Sequence, residues 1–227
     1  MSFDLICENC GAISGPSVGV CPYCKTSFAQ GAKEGAAHSE ASSVMAAYEK
    51  GNLDEAFSLA QAAEQQNPKI TEDPHFALLY ARILIEVEAP KPRIKAILNK
   101  VILQDPRNES ANELMQLVLA MSLFTKEQND PGEQQMRAIL KKNPNLDLAL
   151  FLLGAHLFWV SGEMQESIRF LEQCVKMRPN FLRAWACLGS IYQKLGNKTL
   201  AARSFERCVD LEKEPQMKLF FMKQLQG

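Results

Sequence analysis

The chain has 227 residues, 47% of them apolar and 22% charged, with a net charge of −1, which is the composition of a folded protein and not of a disordered tail. Its longest nearly apolar run, Leu148 to Val160, is broken by Gly154 and His156 and is far shorter than the ~20 residues that cross a bilayer. The opening MSFDLICENC lacks the basic-then-apolar layout of a secretory signal, so the seven cysteines read as thiols or metal ligands in a reducing, cytoplasmic compartment. The near-neutral total hides an asymmetry. Residues 1–90 carry 12 acidic and 5 basic side chains, net −7, whereas residues 137–213 carry 7 acidic and 12 basic, net +5. That pattern disfavours bulk nucleic-acid binding and points to an acidic partner for the C-terminal half.

Residues 1–28 hold Cys7, Cys10, Cys21 and Cys24 in the spacing C-x2-C-x10-C-x2-C. Two such pairs, each on a tight turn, present four thiolates to one tetrahedral zinc ion and leave no position for water, so the expected role of Zn2+ is structural, one ion per chain. About 24 residues cannot bury a core of their own, and metal binding would supply the folding free energy. Val18 and Val20 suit a short strand between the pairs. The segment resembles the short bacterial zinc ribbons with two C-P-x-C-G knuckles, here CENCG and CPYCK over residues 5–28, with Lys25 where the second glycine would stand. A nucleic-acid role for this ribbon is disfavoured, because residues 1–30 set Lys25 against Asp4 and Glu8 with no basic stripe to neutralise phosphates.

Residues 29–43 are small and polar and read as a flexible linker running into a helix. From there to residue 214 nearly every segment has helical period. Pro68, Pro106, Pro144 and Pro179, spaced 38, 38 and 35 residues apart, punctuate the run as an internal repeat does. In the last unit Trp185, Leu188, Gly189, Tyr192, Ala201 and Phe205 fit W-x2-L-G-x2-Y followed by A-x3-F. This resembles the tetratricopeptide repeat. Leu150, Leu153, Gly154 and Leu157 repeat the pattern one unit earlier, with Gly162 at a turn one residue longer; Tyr48, Gly51, Ala56, Ala60 and Ala63 do so in the first unit. Two longer middle units, about 71–106 and 107–144, keep only the proline. The resemblance implies an all-α superhelical solenoid of about five helix hairpins over residues 44–214, preceded by the small ribbon. Residues 215–227 form an apolar helix read as a cap on the last hairpin, with self-association as its other use.

Chemistry is sparse. His38, His75 and His156 are scattered, and no metalloprotease, nucleophile-elbow or phosphate-loop motif occurs. Cys174, Cys187 and Cys208 read as small residues between packed helices, and His156 as a hydrogen-bonded core histidine. The chain is therefore expected to be a non-enzymatic adaptor or scaffold. Its alternative is a regulator that contacts nucleic acid through the ribbon and uses the array as a sensor.

In the tetratricopeptide family the first helix of each hairpin lines the concave groove. In the fourth unit this leaves Phe151, Ala155, Phe158 and Trp159 off the packing stripe, and in the fifth it brings Arg183, Ser190 and Lys194 to the groove face. An aromatic stretch beside a basic one suits an acidic, amphipathic protein segment. Either a partner fills this groove, or the ribbon, linker or C-terminal helix does. The chaperone-tail clamp of Lys, Asn and Arg is not reproduced, since only Arg183 belongs to such a set.

Overall fold

The computed structural model describes residues 5–6, 13–14, 40–125 and 130–225. Two short strands, β1 (Leu5–Ile6) and β2 (Ile13–Ser14), pair antiparallel with Ile6 opposite Ile13. Cys7, Cys10, Cys21, Cys24, Val18, Val20 and His38 lie outside the described residues. The rest is helical: α1 (residues 40–49), α2 (Leu53–Gln66), α3 (Pro74–Glu86), α4 (Lys91–Gln104), α5 (Glu109–Leu123), α6 (Pro131–Lys142), α7 (Asp147–His156), α8 (Met164–Met177), α9 (Leu182–Lys194), α10 (Lys198–Leu211) and α11 (Pro215–Gln224). Because α1 begins by residue 40, the last part of the segment read as a linker is helical.

Among the described residues the helices run as five consecutive pairs, α1/α2 through α9/α10; from α2 onward each helix packs on the next, with α11 against α10. The proline spacing has a local cause. Asn67, Asp105, Asn143 and Arg178 cap the C-termini of α2, α4, α6 and α8 in closely similar extended conformations, φ −136°, −137°, −127° and −129°. Each precedes one of the four prolines, whose rings exclude the helical conformation from the residue before them. The second helix of each of the first four units therefore stops at the same place. Helix starts are equally explicit. Asp73, Asp130 and Glu214 accept backbone N–H bonds at the heads of α3, α6 and α11, and each is followed by proline at the first helical position.

The two middle units also resolve into hairpins, α3/α4 and α5/α6. A 3-10 turn, Pro68–Glu72, lengthens the second unit, and residues 124–130 lengthen the third by joining α5 to α6. Within the last hairpin the small-residue signature does what close helix packing requires: a Cβ on Gly189 would lie 2.6 Å from the Phe205 ring. Gly196 turns the chain at φ +72° before Asn197 accepts the Leu200 N–H. One core of aliphatic and aromatic side chains runs from Val44 to Phe221. On α11 only Phe221 is buried, its ring 6.4 Å from Phe205, while Met217, Leu219, Phe220 and Met222 are exposed; Met217 and Phe220 are thus not on its packed side. No helix among the described residues is long and apolar enough to cross a membrane.

Candidate protein-binding surface

The groove residues expected from the sequence separate into a buried set and an accessible set. Phe151 and Phe158 are each 3% exposed and belong to the core, which corrects their assignment as open groove surface. α7 is apolar on every side, and such a helix must be covered. Among the described residues the cover over Phe151 comes from the start of α9: the Phe181 ring lies 4.7 Å away and the Arg183 guanidinium stands 5.1 Å over the Phe151 ring.

Trp159 is the exception. After His156 the helix continues as a π-helical turn, Leu157–Ser161, closed by Gly162 at φ +74°. This wider turn absorbs the one residue by which the unit exceeds its neighbour, and it rotates Trp159 out of the packed stripe. The indole is 62% exposed, while Phe158, at 4.3 Å, supports it from inside. Lys194, at the end of α9, brings its ammonium 4.7 Å from the Phe158 centroid and 5.4 Å from that of Trp159, within the range of cation–π attraction. Val160 and Leu195 are also exposed there. Ala155 and Ser190 are half-buried, and the Ser190 hydroxyl donates to the Ala186 carbonyl over 2.9 Å.

At the other end of α9 the array closes on itself. The Glu86 carboxylate, buried at the end of α3, accepts the Tyr48 hydroxyl and both Arg178 nitrogens, Nη1 to Oε1 at 2.6 Å and Nη2 to Oε2 at 3.2 Å. The guanidinium lies 4.2 Å over the Tyr48 ring and 4.3 Å over that of Phe181. Asp147, at the head of α7, stands 3.6 Å from Arg178 and accepts two bonds of 2.7 Å from Arg82. Burial opposes charge on Arg178, but Glu86, then Tyr48, and also Asp147 outweigh it and raise its pKa. Burial, with Glu86 adding to it, likewise pushes the Tyr48 phenol up. Arg183 donates to the Glu86 carbonyl and to the Glu88 carboxylate, and Asn180 to the Glu49 carbonyl. Beside these contacts opens a cleft of about 450 Å³, lined among others by Asn52, Asp54, Phe181, Arg183 and Glu212. Sequence reading missed this network, whose one advance signal is the opposite charge of the two halves.

The remaining candidates are structural. Cys174, Cys187 and Cys208 are buried, and burial pushes their thiols up, that of Cys208 to about 12. His156 is buried with Nε2 3.0 Å from Asp130 Oδ2 and its ring stacked 4.2 Å from Phe124. Among the described residues no group of three His, Cys, Asp or Glu is placed to hold a metal.

A family model described as tetratricopeptide repeat matches residues 149–181 and 182–215, the α7/α8 and α9/α10 hairpins. No curated protein sequence matches the chain. Among solved structures, a thermophilic tetratricopeptide protein of Thermus thermophilus superposes with a TM-score of 0.52 at 14% identity, covering 84% of this chain and all of that one. YrrB, a tetratricopeptide protein with an unusual peptide-binding site, aligns at 16% identity over 86% of this chain and 97% of that chain, TM-score 0.42. MamA aligns at 18% identity over 73% and 91%, TM-score 0.39. Only the first is close enough to bear on the architecture, and at such identity it bears on fold alone. Residues 149–215 thus form two tetratricopeptide repeats at the C-terminal end of an all-α array that has the fold of tetratricopeptide-repeat proteins.

Proposed function

We propose that the chain is a non-enzymatic adaptor that binds another protein through the accessible end of its last two repeats. The observation that carries this reading is the Trp159 indole, exposed on a π-helical turn and faced by Lys194. A π-turn inside a helix often marks a functional position, and tryptophan is enriched among the side chains that anchor interfaces. An aromatic anchor with a cation beside it suits a segment that offers one apolar and one acidic side chain. Residues 137–213, net +5, extend the same preference. Capture from native lysate on wild-type and Trp159→Ala baits tests the reading: the partner is the protein retained by the first and lost from the second.

The four N-terminal cysteines fit a structural zinc site by their donor chemistry. Four thiolates in two C-x2-C pairs complete a tetrahedron with no open position, and β1 and β2 pair on either side of the stretch that contains Cys7 and Cys10. Cys7, Cys10, Cys21 and Cys24 would hold the ion, giving the N-terminal segment a fixed shape for contact or spacing. The reading places the protein in the cytoplasm.

A further inference from the structure

Glu88 is, among the described residues, the one non-glycine residue with positive φ, at +56°. It follows the C-cap of α3, where its N–H reaches the Ile85 carbonyl and the next N–H that of Leu84. A helix ending this way favours glycine, which meets no steric penalty in the left-handed region. The sequence instead has glutamate, 69% exposed, with its carboxylate on Arg183 of α9.

We infer that Glu88 occupies in cis a carboxylate site belonging to the partner surface, and that an extended acidic segment of the partner takes its place. The inference rests on the reading of the Trp159–Lys194 end as that surface. Arg183 stands over the Phe151 ring at one end of α9 and Lys194 over Phe158 and Trp159 at the other. Eleven residues of helix separate these cations by ~16 Å, a distance an extended strand covers in about five residues. Side chains alternate across an extended strand, so the fitting segment carries its two carboxylates on one side, about four residues apart with the long side chains covering the rest, and an apolar side chain about two residues beyond the second to lie on Trp159. Because Glu88 is largely exposed, a competing carboxylate displaces it without opening the buried Glu86–Arg178 pair.

The test uses the full chain and a fluorescein-labelled seven-residue peptide with glutamates at its first and fifth positions, phenylalanine at the seventh and serine elsewhere, read by anisotropy. Glu88→Gly should stay folded by circular dichroism and bind about fivefold more tightly than wild type, since the internal competitor no longer holds the site. Arg183→Gln in the Glu88→Gly background should remove that gain. Equal binding by wild type and Glu88→Gly, an unchanged affinity on loss of Arg183, or no binding by either protein overturns the inference. If Trp159→Ala abolishes partner capture while Glu88→Gly changes nothing, the partner surface stands and the site assigned to Glu88 does not.

Discussion

Arg178 Nη1 donates to Glu86 Oε1 over 2.6 Å, joining residues 92 apart and tying the end of α3 to the α8–α9 turn. Arg178 occupies the pre-proline capping position that Asn67, Asp105 and Asn143 fill in the earlier units. One change of residue type at a repeated backbone site thus converts a cap into a tie across the superhelix.

Arg178→Ala should destabilise the array by about 3–5 kcal/mol in urea unfolding, because it strands the buried Glu86 carboxylate. Tyr48→Phe should cost less, about 1–3 kcal/mol, since Arg178 still satisfies that carboxylate. A combined Glu86→Leu and Arg178→Met variant should lose less than Arg178→Ala alone. If the pair removal costs more than the single one, the ionic network is worth more than its desolvation and this account of it is wrong.

Glycine packing gives a local test. Gly189→Ala drives a methyl into the Phe205 ring and should cost about 1–3 kcal/mol; adding Phe205→Leu should recover part of it in thermal melts. Gly51, at φ +80° with the Asn180 carbonyl 2.7 Å from any added Cβ, should tolerate alanine no better.

Burial holds the Cys208 thiol at about 12, above its ordinary value of 9.0, and raises Cys174 and Cys187 in the same direction. The folded state therefore keeps these protons after the unfolded chain releases them. Their contribution is complete below about pH 9 and falls away as pH rises toward about 12. Urea midpoints should drop across that window. In native protein these three thiols should react slowly with a disulfide reagent, and fast reaction at pH 8 would show that they are not enclosed.

Metal analysis of purified protein should find one zinc per chain, reduced by Cys21→Ser, with helical circular dichroism nearly unchanged when the metal is removed. Full zinc content in Cys21→Ser would remove that residue from the ligand set.

The hairpins were legible because proline, glycine and alanine act locally: Pro179 stops α8, and Gly189 admits Phe205, wherever the rest of the chain goes. Phe158 was misjudged because an α-helical period was carried through a π-turn. Gly162, arriving one residue late, was the available hint. The Glu86–Arg178 pair was not legible, since nothing in either neighbourhood names a partner 92 residues away. The acidic first half and basic last half are its one trace in the sequence, and the structure pairs Glu86 and Glu88 of the first with Arg178 and Arg183 of the second.

The most direct measurement of the central claim is the affinity of wild type, Trp159→Ala and Lys194→Glu for the captured partner at two salt concentrations. Trp159→Ala should weaken binding by about 2 kcal/mol or more with its melting temperature unchanged, and Lys194→Glu should act chiefly by slowing association at low salt. Unaltered binding by both folded variants would contradict the account and remove this end of the array from the partner surface.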